Sequence, residues 1–83
     1  MTNESARTRG DGIARRSTLV KRSLTISGHR TSISLEDAFW LRMKGLARHR
    51  EKSLSALVAE IDATRGDANL SSAIRVFVLE SSL

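Results

Sequence analysis

Arg30, Ser32 and Ser34 stand at alternate positions, separated by Thr31 and Ile33 and followed by Leu35. In an extended chain successive side chains point to opposite faces, so the guanidinium and two hydroxyls share one face while Thr31, Ile33 and Leu35 share the other. One face can meet a polar partner and the other needs a core. Such a strand, too small a unit to cover its own edge, is expected to pair with a second copy, and a two-stranded ribbon fits a DNA major groove. Other chemistry finds little support. The two histidines, His29 and His49, are twenty residues apart without thiols or an HExxH-type spacing, which speaks against a metal site within one chain. None of the twelve serines lies in a Gly-x-Ser-x-Gly elbow, and no Gly-rich phosphate loop is present. The expectation is therefore a protein that is not an enzyme and takes no cofactor. Trp40, beside Phe39 on a helical pattern, reads as core rather than as a stacking platform for single strands.

Eighty-three residues at 40% hydrophobic content suffice for one small domain. A domain of about sixty residues buries only about 60% of the surface of its unfolded chain and commonly relies on disulfides, metal or a partner subunit. There is no cysteine, so disulfides and thiolate zinc sites are excluded, in keeping with a reducing compartment. The longest apolar runs, such as 76–79, fall well short of the ~20 residues of a membrane span, and no signal-peptide pattern follows Met1. The reading is a cytoplasmic protein without membrane contact.

The charge is uneven. Residues 1–35 hold seven basic and two acidic side chains, whereas residues 36–83 hold seven of each, so the whole formal +5 lies in the N-terminal part. A solubilising tail would fit this pattern, as would a polyanion-binding arm; the arm's direct passage into the strand favours nucleic acid. Residues 1–18, with Ile13 their only sizeable apolar side chain, are expected to be a flexible basic arm. Residues 19–83 are expected to form the folded domain.

From Leu19 to Ile26, Val20, Leu24 and Ile26 alternate with polar residues, an extended pattern, before Gly28 and His29 offer a turn. A local hairpin and a bulged continuous stretch both fit, and two short strands are the favoured reading. Ser34 with Asp37 approximates a capping box, and a first helix should begin near Glu36 with Phe39, Trp40, Met43, Leu46 and Ala47 as its stripe. Gly45 interrupts that helix at a cost of about 1 kcal/mol against alanine. Arg48, His49 and Arg50 suit the negative end of its dipole. Ser53 should cap a second helix carrying Leu54, Leu57, Val58 and Ile61, ended by a turn at Gly66. Asn69 should cap a third, with Leu70, Ala73, Ile74, Phe77 and Val78 as its core face and Val76 and Leu79 widening it toward a subunit interface.

The order of strand, helix, turn and helix, with Arg30, Ser32 and Ser34 alternating against Ile33 and Leu35, resembles the ribbon-helix-helix family of DNA-binding proteins over residues 30–64. Taken with residues 21–35, 54–61 and 69–78, it is similar to a bacterial branch with an N-terminal extension and a third helix. The resemblance implies a mainly α fold with a short β-ribbon and an intertwined homodimer that inserts two antiparallel strands, one per subunit, into the major groove. Carried onto this chain, the base-contacting positions are Arg30, Ser32 and Ser34. The phosphate contacts are Lys52, Ser53 and the amides of Leu54 and Ser55, joined by Lys21, Arg22 and His29 from the basic segment. Ser32 and Ser34 as the wet face of an amphipathic strand, and Ser53 as an ordinary N-cap, are the plainer readings. If residues 19–26 fold back as an extra strand, a dimer's sheet would have four strands, too wide for a groove of about 12 Å, and binding would shift to the basic arm.

The implied function is a sequence-specific transcriptional regulator, a repressor by default, whose partners are double-stranded DNA and a second copy, with higher oligomers forming on DNA. The alternatives are an antitoxin or adaptor that engages a protein partner, and an architectural DNA binder in which the arm dominates.

Overall fold

The structure, a computed structural model, describes residues 16–81. The expected arm thus lies outside the described residues except for 16–18. Two strands, β1 (Leu19–Ile26) and β2 (His29–Glu36), pair antiparallel, with a register running from Leu19 opposite Glu36 to Ile26 opposite His29. Ser27 and Gly28 make the connection at φ 52° and 85°. Positive φ at both central residues defines the two-residue turn whose twist matches that of the flanking strands. Of the two sequence readings, the local hairpin is the one adopted. Within the chain β2 is thus paired along one edge with β1, the extra N-terminal strand that the sequence left open.

Alternation then sorts the side chains. Val20, Arg22, Leu24 and Ile26 of β1 and Thr31, Ile33 and Leu35 of β2 face inward, each buried or half-buried; their neighbours Lys21, Ser23, Thr25, Arg30, Ser32 and Ser34 are exposed. The ladder runs one rung past the strands, because Asp37 donates its backbone N–H to the Thr18 carbonyl at 3.0 Å.

That rung decides how α1 (Asp37–His49) begins. Its N-cap is Glu36, still extended at ψ 142° and without a side-chain cap bond. The Ser34–Asp37 capping box is therefore not formed: the chain stays in the ribbon through Glu36, and the Thr18 carbonyl, one residue before β1, takes the helix's first N–H. Trp40, Met43 and Ala47 are buried, with Phe39 and Leu46 half-buried beside them. The helix ends with Glu51 at φ 56°, donating to the Arg48 carbonyl at 3.0 Å, while Lys52 donates to Ala47 at 2.9 Å. Those two bonds satisfy carbonyls that a helix terminus would otherwise orphan. Gly45 is exposed, and a Cβ built there meets nothing within 4 Å. Gly45→Ala is expected to stabilise the domain by about 0.4–1 kcal/mol, read as a higher urea midpoint at unchanged m-value.

α2 (Leu54–Thr64) starts at Ser53, whose Oγ accepts from the Ala56 N–H at 3.0 Å, and it buries Leu57, Val58 and Ile61. Gly66 takes φ 62° in the turn after it. Arg65 braces that turn, donating from Nε to Asp62 Oδ1 at 2.6 Å and from Nη1 to the Ala68 carbonyl at 2.5 Å. Asn69 caps α3 (Leu70–Ser81) through Oδ1 to the Ser72 N–H at 3.3 Å, and Ile74 and Val78 enter the core. Arg50, just after α1, lies 5.0 Å over the Phe77 ring. The core is thus a layer between the ribbon's inner face and three helices, with Leu35, Trp40, Met43, Leu57, Val58 and Ile74 fully buried at its centre. Among the described residues no helix is long and apolar enough to cross a membrane.

Candidate nucleic-acid interface

The ribbon's outer face carries three cross-strand pairs: Lys21 opposite Ser34, Ser23 opposite Ser32, and Thr25 opposite Arg30. Eight residues per strand give a ribbon roughly 26 Å long, with strands about 4.8 Å apart. Four hydroxyls, each able to donate and to accept, lie between two cations at diagonal ends. Among the described residues no side-chain hydrogen bond or ion pair holds Lys21 or Arg30, whereas Lys52, Arg65 and Arg75 are each taken up by a carboxylate. The uncommitted charge of the ribbon thus lies on its solvent face.

The expected base-contacting residues Arg30, Ser32 and Ser34 are all on this face, and Lys21 joins them. Exposed His29 flanks the turn at one end. Arg22 does not join them. It points inward, with its guanidinium 5.4 Å from the Trp40 ring centre and Nη2 3.7 Å from Asp37 Oδ1; its buried Nε has no partner. A phosphate contact from the ribbon face would require Arg22 to leave this packing. Period-two alternation already separates Lys21 from Arg22, since adjacent strand residues never share a face.

The expected helix-terminus site forms a second locus. Ser53 Oγ is occupied by Ala56, and the amides of Leu54 and Ser55 lie in the first turn, where no intrahelical carbonyl can reach them. Lys52 Nζ is paired with Glu60. Asp62 and Arg65, at the far end of α2, border one cleft with Ser27 and His29. The α2 N-terminus therefore lies about 14 Å along the helix axis from the turn end of the ribbon.

Sequence reasoning missed the contribution of β1 to the outer face beyond Lys21, and it missed how α3 meets the edge of β2. Ser71 Oγ donates to the Ser34 carbonyl at 2.7 Å. One turn further along α3, Arg75 grips Glu36 with both nitrogens, Nε to Oε1 at 2.8 Å and Nη2 to Oε2 at 3.1 Å, and lies 6.0 Å from the Phe39 ring. No local pattern signals contacts 37 and 39 residues apart.

The Arg75 hydrogen bonds, aided by the backbone N–H of Glu36, hold the Glu36 carboxyl below its ordinary value of 4.5. A carboxylate whose folded value is depressed contributes stability that is complete above its unfolded value and is lost as pH falls through the folded one. The melting temperature of the native protein is thus expected to exceed that of Glu36→Gln by a small, constant margin above about pH 5, shrinking below pH 4.5. A margin that grows in acid would contradict the ion pair.

A family model described as a ribbon-helix-helix domain matches residues 19–82, spanning the hairpin and all three helices. No curated protein and no solved structure matches the chain.

Proposed function

Because the chain belongs to the ribbon-helix-helix family of DNA-binding regulators, we propose that it is a sequence-specific transcriptional repressor that lays the outer face of its ribbon in the major groove. The observation that carries this reading is the exposed face itself: Arg30 and Lys21 are uncommitted among the described residues and are separated by hydroxyls able to meet base edges. Arg30 is the strongest candidate for a base contact, since guanidinium donates a bidentate pair to guanine O6 and N7. The α2 N-terminus, with the amides of Leu54 and Ser55, is suited to a backbone phosphate. The protein acts as a homodimer in the cytoplasm. Support for the dimer comes from the family habit and from Val76 and Leu79, apolar side chains of α3 that are 53% and 64% exposed.

The test is fluorescence anisotropy of the full chain with the duplex upstream of its own gene and with a scrambled duplex, at low and near-physiological salt. A preference that survives salt is expected. Equal, steeply salt-dependent binding to both duplexes would replace specific readout by a backbone-driven, architectural role. No binding to either would move a protein partner to the front.

A further inference from the structure

We infer that the sheet which meets DNA is four strands wide: the β2 strands of two copies pair at its centre and read bases, while β1 of each copy stands over a groove wall, where Ser23 and Thr25 join Lys21 in holding backbone phosphates. This rests on the DNA-reading homodimer proposed above and assigns the part that β1 plays in it.

In an antiparallel pair, residues that exchange backbone bonds alternate with residues that do not. The bond from Asp37 N–H to the Thr18 carbonyl sets the phase, so the bonded pairs are Val20/Leu35, Arg22/Ile33, Leu24/Thr31 and Ile26/His29. Arg30, Ser32 and Ser34 therefore turn their N–H and C=O groups away from β1, toward the open edge of β2. Among the described residues the one bond made to these groups is from Ser71 Oγ to the Ser34 carbonyl, whose oxygen keeps a second lone pair. A cleft lined by Thr31, Ser32, Leu70 and Ser71 leaves room beside the edge. A two-fold axis at Ser32 pairs the three residues with one another and with no others: Ser32 meets Ser32 of the second copy, and Arg30 meets Ser34 of the second copy.

The outer face of that sheet carries three rows. Lys21 and Ser34, then Arg30 and Thr25 of the second copy, form one row, its two-fold mate forms another, and four serines from positions 23 and 32 lie between. The β2 strands are about 4.8 Å apart and the β1 strands about 14 Å apart. A major groove is about 12 Å wide, so the β2 pair fits inside it, while the β1 strands come to lie over the phosphates that bound it. The width that the sequence set against an extra strand is thus taken up by strands that need not enter. Ammonium and hydroxyl groups donate to phosphate oxygens, contacts that fix position and carry no sequence information.

The test compares one substitution on the two strands, Ser32→Arg and Ser23→Arg, by selection from a random duplex pool and by anisotropy on specific and random duplexes over a salt series. Both positions are exposed, as is Gly45 of α1, where Gly45→Arg is the control for added charge away from the sheet's outer face. The native chain should yield a consensus with two-fold symmetry, and Ser32→Arg should change it. Ser23→Arg should leave the consensus as it is, tighten binding to both duplexes by the same factor, and steepen the salt slope by about two, one phosphate per copy. Ser23→Ala and Thr25→Ala should weaken binding to both duplexes equally, by a few-fold. A consensus altered by Ser23→Arg would overturn the inference by making β1 a base reader. An unchanged slope, or one steepened as much by Gly45→Arg, would overturn it by placing β1 clear of the phosphates. In each of those cases a consensus changed by Ser32→Arg leaves the ribbon reading standing. No consensus from the native chain would overturn both, and a consensus without two-fold symmetry would overturn the four-stranded sheet.

Discussion

Trp40→Ala is expected to destabilise the domain by about 3–5 kcal/mol. The side chain is fully buried, its Nε1 donates to the Val20 carbonyl at 3.2 Å, and the Arg22 guanidinium lies against its ring. Removing it deletes the largest side chain of the core, the contact that ties β1 to α1, and the surface that shelters a half-buried cation. At 0.05–0.15 kcal/mol per residue, a domain of this size has only about 3–10 kcal/mol to lose. The variant should therefore be largely unfolded at 37 °C. The measurement is urea unfolding followed by circular dichroism, since Trp40 is the protein's one tryptophan and its fluorescence disappears with the substitution. Trp40→Phe, which keeps most of the volume, should retain a cooperative transition. A loss below about 1 kcal/mol in the alanine variant would mean that the ribbon does not depend on this packing.

Arg30→Ala is expected to weaken binding to the specific duplex by about 1–3 kcal/mol, roughly 5-fold to 150-fold, and to weaken binding to random duplex much less. The asymmetry is the informative part. Arg30 is exposed on the ribbon next to the turn, opposite Thr25, and no carboxylate holds it among the described residues, so its removal leaves the fold intact. A phosphate contact would be lost about equally on every duplex and would reduce the salt slope by about one. Anisotropy titrations on both duplexes at several salt concentrations separate the two roles. Equal losses on both would remove Arg30 from base recognition.

The helices were legible in the sequence because each is set by local chemistry. The Ser53 cap, the Asn69 cap and the turn at Gly66 stand where their residue types require. The stripes Trp40, Met43, Ala47 and Leu57, Val58, Ile61 are the ones buried. The outer row of β2 was legible for the same reason, since period two assigns its faces without knowledge of a partner. The start of α1 near Glu36 was legible, but its cap was misread, because Ser34 and Asp37 have capping-box spacing while the rung to Thr18, nineteen residues away, keeps the chain in the ribbon through Glu36. The partner of β2 stayed open because Ser27 occupies a position where turns of this type favour asparagine or glycine, which weakens the hairpin signal. Arg22 was grouped with Lys21 by charge, although alternation sends it to Trp40. The docking of Ser71 and Arg75 on the β2 edge had no signature at all. Nothing in a serine and an arginine one turn apart identifies a carbonyl and a carboxylate 37 and 39 residues upstream.

The two-residue turn between β1 and β2 has a consequence for how such a protein can diversify. It places six outward side chains, none of them in the core, on the two eight-residue strands of one hairpin. Exchanges at exposed positions usually change stability by no more than about 0.5 kcal/mol, whereas the interleaved inward residues bear the cost of folding. The chemistry of the outer face and thermodynamic robustness are then encoded on alternating letters of the same short segment. Drift at the odd positions of β1 and the even positions of β2 can change what the outer face presents, one residue at a time, while the helices below remain unchanged.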